Sequence, residues 1–469
     1  MPSTATGSAH SRPARQLIFA TTLCCVLAAA PSAAQRPEAP TAALALTPGT
    51  PLALRNARAI WLEYRGRHAM RLAPLEGHER DSDQQLEAVL TGSEFHDGTI
   101  DVDVAGARRA GYATDNASAY KGFVGITFRQ RGDTAERFYI RPENARLDDQ
   151  LFRNRSVQYE SPPDYPWPRL RREDPGAYES YADMEAGGWT ALRIVVSGRT
   201  ARIYINGAPQ PVLVVNDLKQ GDSHGAVALW ARISSDAYFS NLHVTPARRA
   251  SDVEPPSTGE PLAPGTATTP GVLPSFTQVL NGRFEQVEYH GVPALHLIPA
   301  HGARDRDDAM LAFVDGPPFK DGTIELSLAG APRGDAPPDS RGFIGVSVRT
   351  GAHGEWSEVF YLRPTNARAD DQLRRNHTLQ YVSHPGFPWN RLRAESPGVY
   401  ESYADIQGGE WTTLKVVVAG TTARLYINGA AQPALVVTDL KHGDGAGSIA
   451  LWAHVQTEAY FGALAVTRR

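Results

Sequence analysis

"WTALRIVVSGRTARIYINGAPQPVLVVNDLK", Trp189 to Lys219, and "WTTLKVVVAGTTARLYINGAAQPALVVTDLK", Trp411 to Lys441, are one pattern written twice, 222 residues apart. In the first copy Ala201, Ile203 and Ile205 alternate with Arg202 and Tyr204 and lead into Asn206-Gly207. A period of two puts successive side chains on opposite faces of a strand, and Asn-Gly supplies the left-handed backbone that a tight hairpin needs. The stretch therefore predicts an antiparallel hairpin, present in duplicate.

Working outward, the two halves keep this offset without a gap from Tyr139 onward, so that "GAVALWARISSDAYFSNLHV" (Gly225 to Val244) faces "GSIALWAHVQTEAYFGALAV" (Gly447 to Val466). Upstream, "FHDGTIDVDVAG" from Phe95 matches "FKDGTIELSLAG" from Phe319, and Ile100, Val102 and Val104 again alternate with polar residues. Helical spacing is scarce outside the first thirty-odd residues. Self-similarity at this period means two copies of one domain. The reading is all-β: two tandem antiparallel β-sandwiches at 51–246 and 274–469, joined by a Pro/Ser/Thr/Gly-rich linker at 247–273.

The N-terminal segment differs in kind. Arg12 and Arg15 precede the apolar run Leu17 to Ala30, which ends in Ser32, Ala33 and Ala34. That is the pattern of a secretory signal over 1–34, followed by a short linker over 35–50, and the run is too short to span a bilayer. The expected location is secreted or periplasmic. Both cysteines, Cys24 and Cys25, fall inside the signal, which leaves the mature chain without disulfides, thiolate metal sites or a cysteine nucleophile. Of 47 basic residues only five are lysine, and the formal net charge of −4 over 469 residues gives no electrostatic footprint for nucleic acid.

The strand "F-x-D-G-T-I", then "G-F-x-G", then "G-x-W-T-x-L-x-V-x-V-x-G" running into "A-R-x-Y-I-N-G", and finally "G-x-x-A-L-W" before "A-Y-F", resembles the concanavalin A-like lectin/glucanase jelly roll. Within that superfamily the chain is most similar to the 3-keto-disaccharide hydrolase domain, twice in tandem. The resemblance implies jelly-roll domains in a secreted bacterial protein that acts on sugars, with an oligo- or polysaccharide as partner. It is carried by scaffold motifs, so it speaks to fold more than to chemistry. The acidic "E-x-D-x-x-E" strand that concanavalin-like glucanases resemble one another in is missing from both copies.

Between the two scaffold blocks lies a long polar passage, Tyr139 to Trp189, repeated at Tyr361 to Trp411 with 32 of 51 positions identical. The opening strands of the copies have diverged far more, so something has constrained this passage in both halves. It is rich in tyrosine and tryptophan, which argues against disorder. Trp167 and Trp389, each in "P-W-x-R-L-R", offer flat faces for a sugar ring. Arg141, Arg146, Arg153, Arg169 and Arg171, with twins Arg363, Arg368, Arg375, Arg391 and Arg393, are rigid forks suited to carboxylates or vicinal hydroxyls, unless they pair with the acidic residues of the same passage.

The carbohydrate-binding set read from the passage is Arg141, Asn144, Gln158, Trp167, Arg169 and Tyr181, with Arg363, Asn366, Gln380, Trp389, Arg391 and Tyr403. For catalysis, Glu179 and Asp183 would lie about 13 Å apart on a strand, too far for the carboxylate pair of a glycosidase. Asp149 is the better partner for Glu179, and Asp371 for Glu401, as acid and base. Histidine fails an internal test, because His377 faces Arg155 and His384 faces Pro162. No cofactor is expected. Asn144, Asp148 and Asp149 carry hard oxygens that would suit a structural calcium, without EF-hand spacing. The leading function is binding or processing of carbohydrate, including glycoside or 3-keto-glycoside hydrolysis. The alternatives are a polysaccharide lyase, with Tyr159 or Tyr181 handling the proton, and a non-catalytic interaction module.

Overall fold

A computed structural model describes residues 44–79, 84–112, 121–247, 272–300 and 309–469. The signal segment 1–34, most of the 35–50 segment and nearly all of the 247–273 linker lie outside the described residues.

Each half of the described chain is a two-sheet antiparallel sandwich, giving two tandem jelly-roll domains. In the first, sheet A runs in the order Leu213–Val215, Thr200–Ile205, Thr190–Ser197, Gly98–Arg108, Ser235–Pro246, Arg67–Pro74, Ala57–Tyr64, with Leu44–Ala45 added beside Ser235–Pro246. Sheet B runs Glu179–Ser180, Val157–Glu160, Thr134–Ile140, Val124–Arg131, Ala226–Arg232, Gln85–Leu90, Leu52–Arg55. The second sandwich repeats both orders, as sheets A′ and B′.

The alternation seen in sequence is what fills the core. Ile100, Val102 and Val104 are buried between the sheets while Thr99, Asp101 and Asp103 face outward. The hairpin turn forms where expected, with Asn206 at φ 53° and Gly207 at φ 72°. Asn428 and Gly429 repeat it at φ 50° and 72°. Among the described residues no helix is long and apolar enough to cross a membrane.

The polar passage adds the last two strands to sheets B and B′ and places short helices before and between them: α1 (Gln150–Arg153), α2 (Trp167–Glu173), α3 (Gln372–Asn376) and α4 (Trp389–Glu395). Its main structural work is to join the two sandwiches. Asn154 Nδ2 donates to the carbonyls of Gly398 and Glu401 at 2.8 and 2.7 Å, and its twin Asn376 donates to those of Gly176 and Glu179 at the same two distances. Gln150 accepts from the Val436 amide and Gln372 from the Val214 amide, each at 2.8 Å. Arg153 reaches the carbonyl of Pro433, and Arg375 that of Pro211. At the rim Arg424 pairs with Asp148 and Arg202 with Asp370, both at 2.7 Å.

Each of these contacts thus has a partner related by exchange of the halves, which is the signature of an isologous two-fold interface built inside one chain. Val214 and Val436 lie on terminal strands of A and A′ whose outer edges would otherwise be open. The partner's glutamine covers each of them, a form of edge protection. Even the cores interlock: Tyr181 belongs to the apolar cluster of the second sandwich and Tyr403 to that of the first.

Replacing Asn376 by Ala leaves two buried carbonyls without their donor. A loss of about 1–3 kcal/mol is expected, with a similar loss for Asn154→Ala, read as urea midpoints. A change below about 0.5 kcal/mol in both variants, the usual range of a surface substitution, would mean that the interface is not a stabilising contact.

Candidate functional site

The outer face of sheet B carries the remaining polar residues of the passage. Its strand positions alternate, so residues pointing away from the core share one face: Tyr139 and Arg137, Gln158 and Glu160, Glu179, and Trp230. Helix α2 lies against this face, starting where the backbone N–H of Trp167 donates to Glu160 at 3.2 Å.

The centre is a charged cluster. Arg171 holds Glu179 through both Nε and Nη2, the shortest contact being 2.6 Å, and Arg155 approaches the same carboxylate at 3.4 Å. Beside them Arg141 is buried, donating to Gln158 Oε1 at 3.2 Å, to the Tyr139 hydroxyl at 2.9 Å and to the Arg155 carbonyl at 2.8 Å. Its guanidinium sits 5.6, 5.0 and 5.6 Å from the ring centres of Phe123, Tyr139 and Trp167. Arg171 covers Trp167 at 4.5 Å.

The second sandwich rebuilds this around Glu401, with Arg393 at 2.7 Å and Arg363 bonded to Gln380, Tyr361 and the His377 carbonyl. His377 takes the place of Arg155, its Nε2 3.0 Å from Glu401. Trp389 is stacked with Arg393 at 4.9 Å and is 47% exposed, an unusual state for so large an apolar ring.

Of the residues singled out in sequence, Arg141, Gln158, Trp167 and Glu179 converge here, as do Arg363, Gln380, Trp389 and Glu401. The others are placed elsewhere, for identifiable reasons. Asp149 and Asp371 are N-caps of α1 and α3, accepting from the Phe152 and Arg374 amides at 3.1 and 2.8 Å. Tyr181 and Tyr403 point into the inter-sandwich interface, where their hydroxyls meet Arg153 and Arg375 at 2.8 and 2.9 Å.

Arg169 and Arg391 lie on the outer side of α2 and α4, each paired with a glutamate one turn on, Glu173 or Glu395, at 2.8 Å. Asn144 and Asn366 are buried and brace the loop by donating to the Arg155 and His377 carbonyls. The oxygens considered for calcium are drawn apart, Asp148 to Arg424 and Asp149 to its cap.

Arg155, Phe123 and Tyr139 were not among the site residues read from sequence. Arg155 stands opposite His377, and a changed side chain that keeps a nitrogen donor at that position was the available signal. A separate trio, His96, Asp97 and Asp222, brings three ligand atoms within 4.8 Å of one another. Arg129 already contacts Asp97 at 3.1 Å. Lys320 pairs with Asp444 in the corresponding place of the second copy, so the trio reads as a cation–carboxylate clamp.

Burial alone would raise the Glu401 pKa, but hydrogen bonds from His377 and Arg393 overcome it and hold the carboxyl at about 2. Burial pushes His377 below its ordinary value, so at neutral pH it is a neutral ring donating Nε2–H. Because the folded-state value for Glu401 lies below the usual 4.5, its stabilising share is complete above that pH and is lost as the pH falls toward 2. Comparing wild type with Glu401→Gln, the stability advantage of wild type should shrink by up to about 3 kcal/mol between pH 6 and pH 2.5, measured by denaturant titration. A pH-independent difference would show that the carboxylate is not held in this way.

No protein-family model and no curated protein matches the chain. Among solved structures, the carbohydrate-binding module CBM66 from Bacillus subtilis aligns at 13% identity and a TM-score of 0.26, over 40% of this chain and 94% of that one. The Caenorhabditis elegans galectin LEC-6 aligns at 14% identity and TM-score 0.22, over 33% of this chain and 94% of that one. Domains LG4-5 of the mouse laminin α1 chain align at 10% identity and TM-score 0.18, over 80% of both chains.

Proposed function

We propose that this is an exported bacterial protein that binds carbohydrate without cleaving it, with one site per sandwich on the outer faces of sheets B and B′. The observation that carries the proposal is Trp389. It is a half-exposed indole held against the Arg393–Glu401 pair. An apolar ring beside oriented hydrogen-bonding groups suits a sugar, whose C–H face stacks while its hydroxyls find donors and acceptors.

Binding is favoured over hydrolysis because the carboxylates are committed. A general acid must hold a proton near its working pH, whereas Glu401 stays ionised down to about 2. Glu179 is clasped by Arg171, and Asp149 and Asp371 cap helices. A lyase fares no better. The Tyr159 hydroxyl donates to Glu136 at 2.6 Å, and burial raises its pKa well above the ordinary value, so it keeps its proton. Two sites in one chain would raise the apparent affinity for a polymer through avidity.

Trp389→Ala should weaken retention on a bound polysaccharide at least tenfold, about the size of a lost stacking anchor, in affinity electrophoresis against a glycan panel. Trp167→Ala, whose ring is more enclosed, should weaken it less. Failure to bind any glycan would favour an interaction module in its place, and release of sugar products would restore the enzyme.

A further inference from the structure

We infer that the ligand of these sites is an anionic saccharide, one bearing carboxylate or sulfate groups. This rests on the carbohydrate reading above and goes further by naming the charge.

The inference comes from counting charges that touch. On the face of sheet B, Arg137 bridges Glu87 and Glu160, each at 3.0 Å, and Arg55 lies 3.6 Å from Glu87, so two cations meet two anions. Next to them Glu179 stands alone against Arg171 and Arg155. Arg141 completes the group and has only neutral acceptors: a side-chain amide oxygen, a phenol and a backbone carbonyl. Among the described residues no carboxylate comes within ion-pair distance of it. Counted over these contacts, five guanidiniums face three carboxylates. Aromatic rings around Arg141 offset part of the cost of burying it, but they supply no negative charge.

The second sandwich separates cause from coincidence. By strand register Arg137 and Glu160 are replaced by Val359 and Val382, and Glu87 by Leu311. The balanced part of the network has been discarded. The unbalanced part remains, one charge smaller because neutral His377 stands in place of Arg155, with Arg363 bonded to the same three kinds of neutral acceptor and Arg393 on Glu401. A surplus of positive charge kept while its surroundings changed calls for a missing anion. The anion can reach it: the side chains of Arg155 and Arg171 are 20% exposed, that of Arg393 is 29% exposed, and Trp389 stands at the edge. A guanidinium's planar fork fits carboxylate and sulfate oxygens in pairs. The net charge of −4 means that no general attraction for polyanions would produce the same preference.

The test uses the full chain in affinity electrophoresis at neutral pH and near-physiological salt. Two pairs of polymers are compared, dextran sulfate with dextran and polygalacturonate with its methyl-esterified form. At least one charged polymer should bind tenfold or more tightly than its uncharged counterpart, and the pair that does so tells sulfate from carboxylate. Arg171→Gln with Arg393→Gln should abolish the preference. Glu179→Gln with Glu401→Gln, which adds to the surplus, should tighten binding to the charged polymer. Arg193→Gln, on the outer face of sheet A, should change nothing, and thermal melts establish that each variant is folded. Equal binding of charged and uncharged forms would overturn the anionic ligand and leave the carbohydrate reading standing. Equally tight binding of polyglutamate would overturn it as plain ion exchange. No binding to any of the polysaccharides would remove the carbohydrate reading itself.

Discussion

The arrangement rests on polar side chains of one sandwich hydrogen-bonding to the backbone of the other. Gln150, Arg153 and Asn154 cross in one direction, and Gln372, Arg375 and Asn376 cross in the other. Buried carbonyls and amides must find partners, and here those of the turns at Pro211, Pro433, Gly176 and Gly398 find them in the opposite domain. This accounts for the repeated passage. In an isologous interface each residue is used twice, once in each half, so a change in either copy leaves its target in the other copy unsatisfied. Both copies are held to one sequence while the opening strands, which take no part, are released to diverge.

The scaffold was legible because alternation and turn chemistry act locally. Ile100, Val102 and Val104 face inward for the reason their spacing suggests, and Asn206-Gly207 turns where those residues can turn. The polar passage was legible only as ordered and constrained. Its composition could not distinguish an asparagine that faces a ligand from Asn376, which serves the backbone of another domain, nor a carboxylate poised for proton transfer from Asp149, which caps a helix. Tyr181 and Tyr403 show the limit best. They stand two positions after Glu179 and Glu401, a spacing that on a continuing strand would put them on the same face. The strands end at Ser180 and Ser402, and the tyrosines beyond them enter the core of the opposite sandwich.

Within a shared frame the two faces have diverged in kind. The first carries the Arg137, Glu87 and Glu160 network, and the Glu160 carboxylate receives the first amide of α2, drawing Trp167 inward. The second carries Val359, Leu311 and Val382. There Val382 offers no such acceptor, and Trp389 stands half exposed. The indole thus reaches further into solvent where the sheet has lost its charges, on a helix that also has Asn390 in place of Pro168 and Ala394 in place of Arg172.

The interface and the sites are also mechanically one. Asn376 holds the carbonyl of Glu179, and Asn154 holds that of Glu401, so the backbone that positions each central carboxylate is anchored on the opposite sandwich. The short strands Glu179–Ser180 and Glu401–Ser402 lie at the ends of their sheets, each paired along one side only. A two-residue edge strand has little stiffness of its own, and the cross-domain asparagine supplies what the sheet does not. Neither face can then keep its geometry independently of the other repeat. A single domain would have the residues of the site without the constraint that aims them, which gives a physical reason for the chain to carry the domain twice.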